Sequence, residues 1–214
     1  MVDINVSKVF VTHWDQLEDR REFMEEQFMK NGIHDVTWVT EHTAEEIESE
    51  EIKEKYPLIF ETRKFDKNIR PAVISLLLKH CRIIEEIVKN EYASSLIFED
   101  DAILVDDFTS HFNHYASQLP LEWDLLWVGT CCDIHARNIN EGSNIYDGSK
   151  SRCCHAYLVS LECAKKIHDD MYRVDTAIDW YFNALIKRHS LKSYWAEPPL
   201  SFQNKSFRTT LQTS

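Results

Sequence analysis

Three consecutive carboxylates, Glu99-Asp100-Asp101, interrupt an apolar run that begins at Ser94-Ser95-Leu96-Ile97-Phe98 and resumes at Ala102-Ile103-Leu104. Packing alone does not place acids there. A short run of β-branched and aromatic residues bounded by Ser and Asp reads as a buried strand, so the acids fall at its carboxyl end, where open α/β sheets bind ligands. Adjacent carboxylates repel one another and raise each other's pKa unless a hard cation such as Mg²⁺ or Mn²⁺ takes their oxygens as ligands. A divalent-metal site is the economical reading; a strand ending in a solvated acidic turn is the plain alternative. Because side chains alternate along a strand, residues 99 and 101 share one side and Asp100 faces another, toward a backbone amide or capping the turn.

The hydrophobic pattern supplies the elements that must hold these acids. Strands are expected at residues 6–11, 36–39, 96–98, 123–128, 156–160 and 192–196, and helices at 15–30, 71–90, 107–119, 162–172 and 177–188. In the first helix Leu17, Arg21, Met24 and Phe28 recur at helical spacing before Asn31-Gly32 closes it. In the longest, Ile74, Leu77, Leu78, Cys81, Ile84, Ile87 and Val88 form one apolar face, and Pro71 suits the first turn. This order implies an α/β fold with a mostly parallel central sheet and helices on both faces. One domain over residues 1–200 with a tail at 201–214 is expected. Two polar segments stand out: the acidic run 41–55, a surface helix or a loop, and 130–152, of the length of an active-site flap.

Composition narrows the partners. The chain has 214 residues, 43% hydrophobic and 28% charged, the balance of a soluble globular protein. Its 36 acidic and 24 basic side chains give a formal net charge of −12, which disfavours a nucleic-acid backbone or an anionic membrane yet admits a small phosphate-bearing ligand. The N-terminus lacks a basic and an apolar signal region and no stretch approaches about 18 apolar residues, so neither secretion signal nor membrane span is expected, and the location is expected to be cytoplasmic. Of the six cysteines, Cys131-Cys132 and Cys153-Cys154 are adjacent pairs without the spacing of a zinc knuckle, and Cys81 and Cys163 sit in helical patterns; six free thiols are expected.

Segments along the chain, in the right order, resemble glycosyltransferase family 25, known from lipopolysaccharide and collagen galactosyltransferases. Val9-Phe10-Val11-Thr12-His13-Trp14-Asp15 with Asp19-Arg20-Arg21 and Met24 is similar to the family's opening strand, "N-L-D-R-R-x-D-R-R" turn and first helix; His13-Trp14 replaces Asn-Leu and Gln16-Leu17 the first Arg pair. Ala72-Val73-Ile74-Ser75-Leu76-Leu77-Leu78-Lys79-His80 resembles "G-E-I-G-C-x-L-S-H", with Lys79 in place of Ser. Leu96-Ile97-Phe98-Glu99-Asp100-Asp101-Ala102 is similar to "L-I-L-E-D-D-A/V", the family's version of the metal-binding DXD element of the GT-A fold. His155-Ala156-Tyr157-Leu158-Val159-Ser160, running on to Lys166, resembles "H-A-Y-L-I-S-x-x-G-A-x-K", and Pro198-Pro199-Leu200 with Gln203 resembles the closing "P-P-L-x-x-Q".

The resemblance implies a GT-A-like enzyme that transfers a hexose, galactose or glucose, from a UDP-sugar to a glycan or glycoprotein acceptor with inversion, using Mn²⁺ or Mg²⁺. Glu99 and Asp101 are then the expected metal ligands, with His155 or Gln203 as the further ligand that such enzymes draw from late in the chain. Asp179 is the expected base for the acceptor hydroxyl, while Asp175, at the same helix start, is also a good N-cap. Thr12 and Trp14 end the first strand, where a nucleotide base would lie; Arg20, Arg70 and His80 are candidates for phosphate or ribose contacts, and Asp100 for the ribose. Trp180, Tyr181 and Trp195 are candidates for stacking on sugar faces. Two other classes fit an acidic strand end. Another metal-dependent nucleotide-processing enzyme, a nucleotidyltransferase or phosphohydrolase, lacks the support of a Walker-type glycine loop or a second acidic strand end. A non-catalytic glycan-binding domain on the same fold would account for the departures at Gln16-Leu17 and Lys79.

Overall fold

A computed structural model describes residues 3–63, 70–130, 134–136, 142–173 and 176–207. Among these, seven strands form one mixed sheet in the order β2-β1-β3-β8-β5-β9-β7. They are β1 (Lys8–Thr12), β2 (Val36–Val39), β3 (Ser94–Glu99), β5 (Leu125–Trp127), β7 (Ile145–Asp147), β8 (Ala156–Ser160) and β9 (Ser193–Ala196). The β1 strand pairs parallel with β2 and β3, β8 runs antiparallel between β3 and β5, β5 pairs parallel with β9, and β7 closes the edge antiparallel. Five of the seven strands therefore point the same way, and their carboxyl ends share one rim of the sheet. The expected α/β architecture is the observed one.

Each face of the sheet buries its own core. Along β3, Leu96 and Phe98 join Val9, Val11, Met24, Phe28 and Phe112 under α1 (Glu18–Asn31) and α5 (Phe108–Ala116), while Ile97 points the opposite way. On that second face Ile97, Trp127 and Tyr157 pack against α4 (Pro71–Asn90), α6 (Leu161–Ile167) and α7 (Ile178–His189), and α2 (Glu50–Lys55) and α3 (Pro57–Arg63) flank the same cluster. A β3 strand buried on both faces explains its unbroken apolar sequence. At ~1.5–3 kcal/mol per fully buried large side chain, these two layers supply the main driving force for the fold. The α1 helix ends at Gly32, whose φ of 65° and N–H contacts to Met29 and Phe28 carbonyls form a left-handed cap that a side chain would strain.

A small second sheet, β4-β10-β6, forms from β4 (Ala102–Leu104), β6 (Gly129–Thr130) and β10 (Ser201–Gln203). Strands this short carry no period of their own in the sequence, and residues 201–203, placed with the tail, form a strand here by pairing with β4 and β6. The acidic run 41–55 becomes a 3₁₀ turn at Glu46–Glu48 followed by α2, and the described part of 130–152 includes the edge strand β7. The expectation of six free thiols is corrected: Cys81, Cys154 and Cys163 are free and buried, whereas Cys153 is disulfide-bonded, its partner lying outside the described residues. Sequence spacing could not show this, because a disulfide depends on which loops the fold brings together. No described helix is long and apolar enough to cross a membrane.

Candidate active site

The β3 strand ends at Glu99, and the chain turns through Asp100 and Asp101 before β4. Register does the positioning. Thr12 at the end of β1 lies beside Glu99, and Gln203 of β10 pairs with Ala102, so the first strand and a late segment meet at the acids. Thr12, His13, Trp14, Arg20, Ala72, Ser75, Lys79, Glu99, Asp100, Asp101 and Gln203 thereby line one cleft enclosing about 210 Å³.

The three acids have different surroundings. Both carboxylate oxygens of Asp100 are engaged, one by His13 Nδ1 at 2.8 Å and the other by Arg20 Nη1 at 2.7 Å. Asp100, expected toward a ribose, lines the cleft and at the same time forms a buried clamp joining β1, α1 and the end of β3. Arg20, expected at phosphates, is 6% exposed, bonds Asp100 and lies over the Phe207 ring, though it still lines the cleft. Glu99 is held well above the usual carboxylate range by burial and by the charges of Asp101, Asp100 and Asp179. Asp101 is also raised, by burial against the opposing hydrogen bond from Gln203 Nε2 at 3.1 Å. Its other oxygen, Oδ1, is buried with no hydrogen-bond partner.

These two carboxylates fit a divalent cation. A buried carboxyl oxygen without a hydrogen-bond partner, beside a second buried carboxyl, lacks the partner that a cation would supply. Among the described residues no three His, Cys, Asp or Glu side chains converge into a ready-made cage. Cations that accompany phosphates are commonly held by one or two carboxylates, with phosphate oxygens and waters completing the shell, so the pair is enough.

The remaining expected residues divide. Thr12, Trp14 and Gln203 reach the cleft. His155 does not: it is 1% exposed, its Nε2 lies 3.4 Å from the Ser201 carbonyl, and its ring packs so closely on Gly129 that an added Cβ there would sit 2.2 Å from Nε2. His80 is fully buried behind Glu99 rather than in the cleft, and Arg70 stands exposed at the start of α4, outside the lining. Asp179, in the first turn of α7, is half-buried and lines a neighbouring cavity of about 910 Å³ with Trp180 and Asn183, yet its charge is felt at Glu99. Its Oδ1 accepts the Trp180 N–H at 2.9 Å. Asp175 lies outside the described residues. Of the aromatics, Trp180 is 68% exposed beside Asp179, Trp195 donates Nε1–H to the Lys150 carbonyl, and Tyr181 is buried with its hydroxyl on the Asp170 carbonyl, which removes it from any sugar face.

Two cleft residues carried no functional expectation. His13 is 2% exposed and tied to Asp100, with Nε2 unpartnered. Lys79 is 4% exposed and donates to the Thr40 and Glu41 carbonyls at 3.1 and 2.6 Å; burial lowers its pKa to about 8. Both are departures from the family pattern, which is the signal that could have marked them.

Burial also lowers His155 to about 4. Its folded pKa lies below the unfolded value near 6.5, so the unfolded chain binds the extra proton and stability falls as pH drops from about 6.5 toward 4. Raised carboxyls such as Glu99 act in the opposite sense over part of this window, so the variant is what isolates His155. Chemical denaturation at pH 6.5 and 4.5 should show a loss in the wild type that His155→Gln reduces; an undiminished loss in the variant assigns the effect elsewhere.

The profile of Glycosyltransferase family 25 (LPS biosynthesis protein) matches residues 6–182. The chain belongs to this family. The family match contains Glu99, Asp101, His155 and Asp179 and ends before Gln203. No curated protein matches the chain. Among solved structures, a glycosyltransferase involved in the glycosylation of the major capsid of PBCV-1 aligns at 11% identity and TM-score 0.47, covering 94% of this chain and 95% of that one. A putative glucose-1-phosphate thymidylyltransferase from Bacillus anthracis, in complex with a sucrose, aligns at 13% identity and TM-score 0.45, covering 89% and 87%. At such identities and scores neither likeness bears on the chemistry of this family 25 chain.

Proposed function

We propose that this family 25 chain transfers a hexose from a UDP-sugar to a glycan or glycoprotein acceptor by direct displacement, in a single GT-A-like domain. The observation that carries the reading is the Glu99–Asp101 pair at the carboxyl end of β3, with Asp101 Oδ1 buried and unpartnered in the cleft. Glu99 and Asp101 would hold Mn²⁺ or Mg²⁺, with Gln203 keeping Asp101 oriented through its 3.1 Å hydrogen bond. When bound, the cation supplies positive charge to the departing diphosphate.

The protein's own groups do the rest. Trp14 and Thr12 offer a flat face and a hydroxyl to the nucleoside at the β1 end, and Lys79 adds a buried cation to the same cleft. Asp179 takes the acceptor hydroxyl proton as the new bond forms at the anomeric carbon and the bond to the diphosphate breaks, so the configuration inverts. The cavity along α7, with Trp180 exposed at its mouth, would receive the acceptor. A nucleotide-sugar screen by thermal shift, with and without Mn²⁺, tests the class, because only a ligand of the folded state raises the midpoint. One UDP-sugar standing out with Mn²⁺ is expected; no nucleotide raising the midpoint under either condition contradicts the reading.

A further inference from the structure

Alternation along β3 places Glu99 on the same face as Ile97, the face covered by α4, and Ile97 is paired across the sheet with Tyr157 of β8. His80 of α4 lies between these two polar groups. Its Nδ1 is 2.9 Å from the Tyr157 hydroxyl, and its Nε2 is 3.6 Å from Glu99 Oε1 with no hydrogen-bond partner. Both His80 and Tyr157 are fully buried, and Tyr157 is fixed by ring contacts with Trp127 and Phe182 at 5.4 and 5.3 Å.

Proton placement follows from counting donors. A phenol has one hydrogen to donate, and His80 Nδ1 is the acceptor beside it. With that bond made, a neutral ring carries its proton on Nε2, aimed at Glu99. The other tautomer leaves the phenol hydrogen without an acceptor, whether Glu99 is ionised or not.

We propose that Tyr157 and His80 form a buried support that holds the Glu99 carboxyl from behind in the orientation a divalent cation requires. The inference rests on the reading of Glu99 as a cation ligand. His80 is then a positioning residue, and its place in the chain, five residues after the last cleft-facing small residue of α4, Ser75, is explained by the carboxyl it supports rather than by the donor. Hydrogen-bonded partners of metal-ligating groups typically change metal affinity by about 10- to 100-fold.

The test titrates Mn²⁺ in the presence of UDP, following free ion by EPR, for wild type, His80→Leu, His80→Gln and Tyr157→Phe, with unfolding midpoints measured in parallel. His80→Leu should weaken Mn²⁺ binding by about 10- to 100-fold. Tyr157→Phe should weaken it less, and His80→Gln, whose amide presents an N–H toward Glu99, should restore most of it. Folded His80→Leu and Tyr157→Phe proteins with wild-type affinity overturn the proposal. A wild type that binds no Mn²⁺ overturns the cation reading and this one with it. Because Leu at a buried polar position can cost the fold, proton–nitrogen NMR correlations of the wild-type ring give an independent readout without metal: Nε2–H with bare Nδ1 is expected, and a ring protonated at Nδ1 overturns the support even where Mn²⁺ binds.

Discussion

Asp179→Asn should lower transfer by about 10²- to 10⁴-fold, the usual share of a general base, while UDP and Mn²⁺ bind nearly as in the wild type. The substitution is suited to this separation. Asn keeps an amide oxygen that can accept the Trp180 N–H, as Asp179 Oδ1 does at 2.9 Å, so the start of α7 is retained while the base is lost. Because the Asp179 charge raises Glu99, the variant should if anything ease ionisation of Glu99, and weakened donor binding cannot then explain a fall in transfer. Asp175→Asn is the comparison: α7 is capped at Ala177 and not at Asp175 as the sequence suggested, so this change should leave transfer near the wild-type rate. Transfer lost in Asp175→Asn and kept in Asp179→Asn would reverse the two roles.

Removing the cation, or the carboxylates that would hold it, should have the other large effect. Glu99→Gln and Asp101→Asn keep side-chain size and most hydrogen bonds but remove anionic oxygens. Each should weaken cation-dependent donor binding by more than about 100-fold, beyond what loss of a merely supporting hydrogen bond does. The effect on folding should run the other way. Glu99 is a buried carboxyl among like charges, so a neutral amide there relieves repulsion and desolvation, and the unfolding midpoint should hold or rise. Lower binding without lower stability is the signature of a group retained for its ligand.

Much of this site was legible because strands obey a period of two. Glu99 and Asp101 could be separated from Asp100 by alternation alone, and Asp100 does face α1 while Glu99 faces α4. What alternation could not give was the partner, since His13 and Asp100 are 87 positions apart and meet only because β1 and β3 pair. Gln203 was placed by the resemblance and reaches Asp101 through β10, a three-residue strand with no pattern of its own. His80 was legible only in part. The sequence offered it for a phosphate or ribose contact, and a core histidine was equally open; the polar groups it meets, Glu99 and the Tyr157 hydroxyl, come from β3 and β8 and could not be read from its own helix. Helices with a strong apolar period were read correctly for the same physical reason that short strands were not: a long amphipathic face is written in one segment, whereas a two- or three-residue strand exists only through its neighbours.

On the proposed reading, the cleft at the end of β3 binds a nucleoside diphosphate together with a divalent cation held by Glu99 and Asp101. The decisive measurement is a calorimetric titration of UDP into the wild type, with Mn²⁺ and then with excess EDTA. Measurable binding with Mn²⁺ is expected, with near-abolition by EDTA and the EDTA result reproduced in Glu99→Gln and Asp101→Asn with Mn²⁺ present. UDP binding of equal strength in all four samples would contradict it.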